Sequence, residues 1–235
     1  MARGLRGVFP VARSRLGRDG FARDTLAVAR DILGQRLVRV LDGVRLSGRI
    51  VEVEAYVGEE DQASHARCGR TARNAPMYGP AGHAYVYFIY GMHHCLNVVT
   101  EREGYPAAVL VRALEPLEGI EAMRARRGGV VDVQLTNGPA RLCQALEIDR
   151  RFDGADLCAP EALLFLEEDV LVPDEAIASG PRVGVRGDEL ARAVPWRLYV
   201  RASPCVSRGE GREGRKGRDG RDGGQGGRIS GLKIG

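Results

Sequence analysis

Lysine is missing from the first 215 of the 235 residues and occurs only at Lys216 and Lys233. Every basic side chain before them is an arginine or a histidine. Arginine stays protonated and is a poor nucleophile, so chemistry that runs through a lysine amine, such as a Schiff base, is excluded there. No stretch approaches the ~20 apolar residues that a membrane-spanning helix needs. The basic N-terminus, MARGLRGVFPVARSRLGRDG, has no long apolar run and no cleavage-like site, so it does not read as a secretory signal. The five cysteines (68, 95, 143, 158 and 205) are odd in number and include no C-x-x-C pair. This argues against a disulfide framework and a cysteine-rich zinc site, and for a reducing compartment.

The net charge of +4 is confined to one end. Residues 208–235 hold eight basic and four acidic side chains, and the remainder carries 27 of each. Global charge alone therefore calls for no polyanionic partner. From Arg208 the chain reads RGEGREGRKGRDGRDGGQGGR, glycine-rich, charged and without apolar residues. Such a composition predicts disorder, serving either solubility or electrostatic tethering to nucleic acid. The expected organisation is a flexible basic arm over 1–14, one domain over 15–207 and a disordered tail over 208–235. At 44% hydrophobic residues the chain can bury a substantial core.

Pattern and punctuation give the elements. Asp24 and Thr25 can cap a helix, TLAVARDIL, that Gly34 ends. QRLVRVL and LSGRIVEVEAY read as strands. In the second, alternation puts Val51, Val53 and Ala55 on one face and Glu52, Glu54 and Tyr56 on the other. Residues 57–82 form a connection long enough to be functional or disordered. HAYVYFIY and HCLNVVT read as strands joined by a reversal over Tyr90–His93, and AVLVRAL as another. PLEGIEAMRARRGG and NGPARLCQAL read as helices, the first with early acids and late arginines, the second with Asn137 or Gly138 as cap. RVGV and WRLYVR look like strands, and ALLFL is ambiguous. The fold class is α+β, one domain with a curved mixed or antiparallel sheet and flanking helices.

Aromatics are scarce as well. The chain has thirteen, yet Tyr85, Tyr87, Phe88 and Tyr90 fall within six positions. Such a strand can simply pack well, or its face can stack on a nucleobase while an aromatic at the turn acts as a wedge between base pairs. Asn97, on the return strand, can donate and accept, so it could read a base edge. Glu52 and Glu54 either share a solvated face or include a catalytic base. A sugar hydrolase using both fits less well, because its carboxyls flank the scissile bond from opposite sides. Arg112 lies mid-strand among apolar residues and needs a carboxylate partner such as Glu54. Arg67, Arg70 and Arg73 follow Asp61 with no intervening acid; they form a solvated loop or contact phosphates, and Arg141 joins them as a candidate. His65 is a lone loop histidine. With Cys68, His83, His93, His94 and Cys95 it makes no familiar zinc spacing, so no metal is expected.

RIVEVEAYVGEEDQASHA, GRTARN, MYGPAGHAYVYFIYGMHHCLNVVT, VLVRALEPLEG, NGPARLCQAL and RVGV, in that order between about Arg15 and Ser207, resemble the alkyladenine (3-methyladenine) DNA glycosylase family in its bacterial form. The resemblance implies an enzyme of base excision repair that removes alkylated or deaminated purines from duplex DNA: 3-methyladenine, 7-methylguanine, hypoxanthine and ethenoadenine. It implies a hydrolase with no lyase step and no cofactor, acting as a monomer in the bacterial cytoplasm at the nucleoid, with no membrane partner. By the same resemblance Glu54 is the catalytic base, with Arg112 helping to hold the attacking water. Tyr56, His65 and Tyr87 form the base pocket. Asn97 discourages unmodified guanine. Tyr90, with Met92, fills the gap left by the flipped nucleotide, and a backbone carbonyl near Val185 is a further water contact. Two rival readings remain beside it: a module that binds lesions without cutting, and an N-glycosidase for free nucleosides.

Overall fold

A tight hairpin sets the register of the centre. The computed structural model describes residues 13–89 and 91–207. Within it β1 (Arg36–Leu41) reverses at Asp42–Gly43, both with positive φ (51° and 77°), into β2 (Val44–Val57). Two such residues make the mirror-image turn that matches strand twist, and Asp-Gly is the dipeptide that adopts it readily. β3 (Ala84–Ile89) and β4 (His93–Val99) form a second hairpin, followed by β5 (Ala107–Glu118). The sheet runs β3-β4-β5-β2-β1, with β6 (Leu164–Glu167) at the end. β7 (Ile177–Gly180) pairs with β8 (Arg197–Val200), and β8 takes over the edge of β2 at Glu52–Glu54, beyond the reach of β1. All the strand pairings described are antiparallel. This is a single-domain α+β fold.

Helices cover one face of the sheet. The Asp24 carboxylate accepts from the Ala27 N–H (2.8 Å) and starts α1 (Thr25–Asp31). Val28, Ala29 and Ile32 then pack into a cluster with Ile50, Val53, Val98 and Val111. α2 (Ile120–Arg126) contributes Met123, and α3 (Pro139–Leu146) contributes Leu142, Cys143 and Leu146. A fully buried Leu or Met is worth roughly 1.5–3 kcal/mol relative to exposure, so these few side chains account for much of the helix–sheet adhesion.

Several elements differ from expectation. β5 runs on through Pro116 to Glu118, and the helix starts only after Gly119, which has φ 71°. Pro116 sits opposite Gly48 where the ladder is already irregular, so its missing N–H costs little there. A Cβ on Gly119 would come within 2.3 Å of Leu46, so that turn needs glycine. RVGV is not a strand: Gly184 takes φ 67°, which breaks the extended run. ALLFL resolves as β6. β7 and α4 (Glu189–Ala193) had no expectation attached. Val51 leaves the face of Val53 and Ala55 and packs in a separate cluster with Ala113 and Cys205. Residues 1–12 of the basic arm, the tail from 208 and Tyr90 lie outside the described residues. Among those described, no helix is long and apolar enough to cross a membrane.

Candidate active site

Two compensating bulges place the key charges. Ile50 faces Leu114, Glu52 faces Ala113 and Val53 faces Val111. The register therefore skips Val51 on β2 and Arg112 on β5. A bulge bends its strand and re-aims a side chain, and here it brings Arg112 onto Glu52 and Glu54. The guanidinium Nε donates to Glu52 Oε1 (3.0 Å), and Nη1 lies 3.1 Å from Glu54 Oε1. Both carboxylates are fully buried, which removes the solvated-face alternative.

The two acids have different surroundings. Glu52 accepts from Arg112, from Arg197 Nε (2.7 Å), from the Ser207 N–H (2.6 Å) and from Ser207 Oγ (2.8 Å). It is fully committed and does not reach the cavity. Glu54 lines a cavity of about 600 Å³, within the range of roughly 300–1,000 Å³ usual for small-molecule sites. Its Oε1 accepts from the Val183 N–H (2.6 Å) and forms an ion pair with Arg112, and its Oε2 accepts from Tyr56 Oη (2.9 Å). Burial, then the Glu54 charge and its hydrogen bond, push the Tyr56 phenol well above its ordinary value, so it remains a donor.

Aromatic rings make the wall. Tyr85 and Tyr87 project from the same face of β3, with centroids 5.4 Å apart, and His65 meets the edge of Tyr87 at 4.5 Å. His65 Nδ1 lies 2.8 Å from Tyr85 Oη. Burial pushes that phenol well above its ordinary value, so it keeps its proton. With Nδ1 as the acceptor for its proton, the buried O–H is satisfied, and neutral His65 then carries its own proton on Nε2. Burial, with help from Arg73 and Arg67, lowers His65 to about 4. Its folded value thus lies below its unfolded one. The associated stability is complete above the ordinary histidine value and declines as pH falls from there toward 4. A proton NMR titration should show the His65 ring signals flat from pH 8 to 5; a midpoint near the ordinary value of ~6.5 would contradict this environment. Asn97 is buried, and its Nδ2 donates to the Tyr85 carbonyl (3.0 Å). A carbonyl can only accept, which settles which way the amide points.

Of the remaining expected residues, two arginines reach the cavity and the others lie outside its lining. Arg67 and Arg73 line the cavity, and Arg73 sits 6.0 Å over the Tyr87 ring. Arg70 lies over Tyr78 (5.6 Å), and Arg141, on α3 beside the cavity-lining Pro139, bonds Asn137 Oδ1 (2.7 Å). From Gln62 to Thr100 the sequence contains no acidic residue, so the loop and hairpin at the mouth are uniformly non-acidic. Met92, at the β3–β4 hairpin tip, is 69% exposed. Among the described residues no group of three His, Cys, Asp or Glu side chains is placed to hold a metal. Sequence reading did not single out Val183 as a donor, or Arg197 and Ser207 as partners of Glu52. Val183 and Arg197 lay in segments read only as strands, RVGV and WRLYVR, and Ser207 at the last position of the expected domain.

A buried carboxylate at the floor of an aromatic cavity, on an α+β chain with a cationic rim, has the make-up of a hydrolase for a flat heterocycle carried on a polyanion. A family model described as "Methylpurine-DNA glycosylase (MPG)" matches residues 19–204, and the chain belongs to that family of base-excision DNA-repair enzymes. Relatives named "Putative 3-methyladenine DNA glycosylase" include one from Methanocella arvoryzae, 51% identical over 82% of this chain and 96% of its own length. Another, from Streptomyces avermitilis, is 50% identical over 83% and 92%, and one from Clostridium acetobutylicum 47% identical over 82% and 97%.

Proposed function

We propose that this chain is a monofunctional glycosylase that takes alkylated or deaminated purines out of duplex DNA and hydrolyses the bond to the sugar. The observation that carries the proposal is Glu54: of the two buried acids on β2, it alone lines the cavity, with two donors and an ion pair fixing its oxygens. The substrates are 3-methyladenine, 7-methylguanine, hypoxanthine and ethenoadenine. A base within a duplex is out of reach and must be flipped out, at a cost of a few kcal/mol. Tyr56, Tyr87 and His65 stack on and edge the extruded purine. Asn97, held by Tyr85, stands where the 2-amino group of guanine would meet it. Tyr90 and Met92 fill the vacated place in the helix, and Arg67, Arg70, Arg73 and Arg141 contact phosphates.

Water attacks C1′ as the N-glycosidic bond breaks, and its electron pair leaves with the base. Glu54 accepts a proton from that water, and its charge stabilises the oxocarbenium-like sugar. Arg112 holds both the carboxylate and the water. The absence of lysine before position 216 supports hydrolysis without a Schiff-base lyase step. A duplex with one hypoxanthine or ethenoadenine tests this. Free base should appear while the strand stays intact until alkali is added. A mobility shift with no freed base would identify a binding module instead, and efficient cleavage of free inosine would identify a nucleosidase.

A further inference from the structure

Arg182 has no role in the chemistry described so far, yet it is a completely buried charge with more partners than packing requires. Its Nη1 donates to Asp61 Oδ2 (2.5 Å) and to the Ala55 carbonyl (2.9 Å), which lies between Glu54 and Tyr56 on β2. Its Nη2 donates to Asp61 Oδ1 (2.8 Å) and to the Ala191 carbonyl of α4 (2.9 Å). The guanidinium carbon lies 4.8 Å from the Tyr56 ring centre and 5.1 Å from that of Trp196. Nε has no hydrogen-bond partner. An ion pair buried this deeply, with a donor left over, gains little stability over an apolar substitute. Its geometry is what it contributes.

That geometry ties together the two sides of the cavity. Asp61 opens the connection that carries His65 and also accepts from the Ala63 N–H (3.0 Å). Arg182 immediately precedes Val183, whose N–H is bonded to Glu54. A second contact joins the same two segments: a Cβ on Gly187 would lie 3.0 Å from the Gln62 backbone, so Gly187 lies directly on the turn that follows Asp61. We infer that Arg182, clamped by Asp61, is a positioning residue for excision, holding the Val183 N–H and the Tyr56 phenol on the Glu54 carboxylate.

The inference rests on Glu54 being the base. Its test is a double-mutant cycle between Arg182→Lys and Glu54→Gln, read as single-turnover base release and as affinity for a hypoxanthine duplex. Lysine keeps the charge but cannot fork to four acceptors or stack between two rings. Arg182→Lys alone should slow release by ~10- to 100-fold with binding within about threefold of the parent, in line with what a small misplacement of a catalytic group costs. In the Glu54→Gln background it should change the residual rate less than about twofold, because it acts through that carboxylate. Parental release by Arg182→Lys, or equal slowing in both backgrounds, would overturn the inference while leaving the base assignment intact. Undiminished release by Glu54→Gln would overturn the base assignment itself. Should Arg182→Lys not fold, an amide-to-ester replacement at Val183 deletes the N–H and spares the ion pair. Slowed release with retained binding then supports the inference, and a parental rate removes it.

Discussion

Glu54→Gln protein should bind a hypoxanthine duplex within about threefold of the parent and release the base ~10³-fold more slowly. Glutamine has nearly the same shape. Its carbonyl oxygen can still accept from the Val183 N–H and keep its partial negative charge beside Arg112, the partners of Oε1. On the other side the Tyr56 hydroxyl can turn from donor to acceptor and meet the new amide. The aromatic wall is untouched, so purine stacking survives. What disappears is a proton acceptor and a full negative charge at the reacting carbon. Proton transfer by a positioned side chain contributes ~10²–10⁴-fold, and loss of preorganised charge adds to that. Single-turnover release on a fully bound duplex separates this from any loss of affinity. Release within a factor of ten of the parent would remove Glu54 from the chemistry.

Arg112→Met should lower stability by about 3–5 kcal/mol, the usual consequence of removing one member of a buried charge cluster. Glu52 and Glu54, both fully buried, share this cation. Without it Glu52 still has Arg197 and Ser207, but Glu54 keeps only the Val183 N–H and the Tyr56 hydroxyl. In a domain of this size each kcal/mol corresponds to about 2–4 °C, so the melting temperature should fall by on the order of 10 °C. Arg141→Ala is the control. Arg141 is exposed and bonds a neighbouring asparagine, so its loss should leave the melting temperature within about 2 °C. Equal melting temperatures for the Arg112 variant and the parent would show that the cluster contributes nothing to the fold.

What could be seen beforehand, and what could not, follows from the range of the interactions. The aromatic cluster of β3 was legible because it is local in sequence: Tyr85 and Tyr87 stand side by side, while Ala84 and Val86 lie on the core side. The pairing of Arg112 with Glu54 was legible because a mid-strand arginine must find a carboxylate. The position of Val51 was not, since the bulges on β2 and β5 depend on two strands together. The long-range partners were beyond local pattern altogether. Ser207 reaches Glu52 across 155 residues and Arg182 reaches Asp61 across 121. RVGV looked like a strand because arginine and valine tolerate extended backbone; a buried ion pair and a left-handed glycine decided otherwise. PLEGIEAMRARRGG began too early for a similar reason, because proline marks a helix start only when the preceding strand has ended.

Crystallisation of the Glu54→Gln protein with a hypoxanthine-containing duplex tests the central claim most directly. The purine should be out of the helix, between Tyr56 and Tyr87 with His65 at its edge, and its C1′ should face side chain 54 with space for one water. A purine still stacked in the duplex, or a cavity filled while C1′ points away from position 54, would contradict the account.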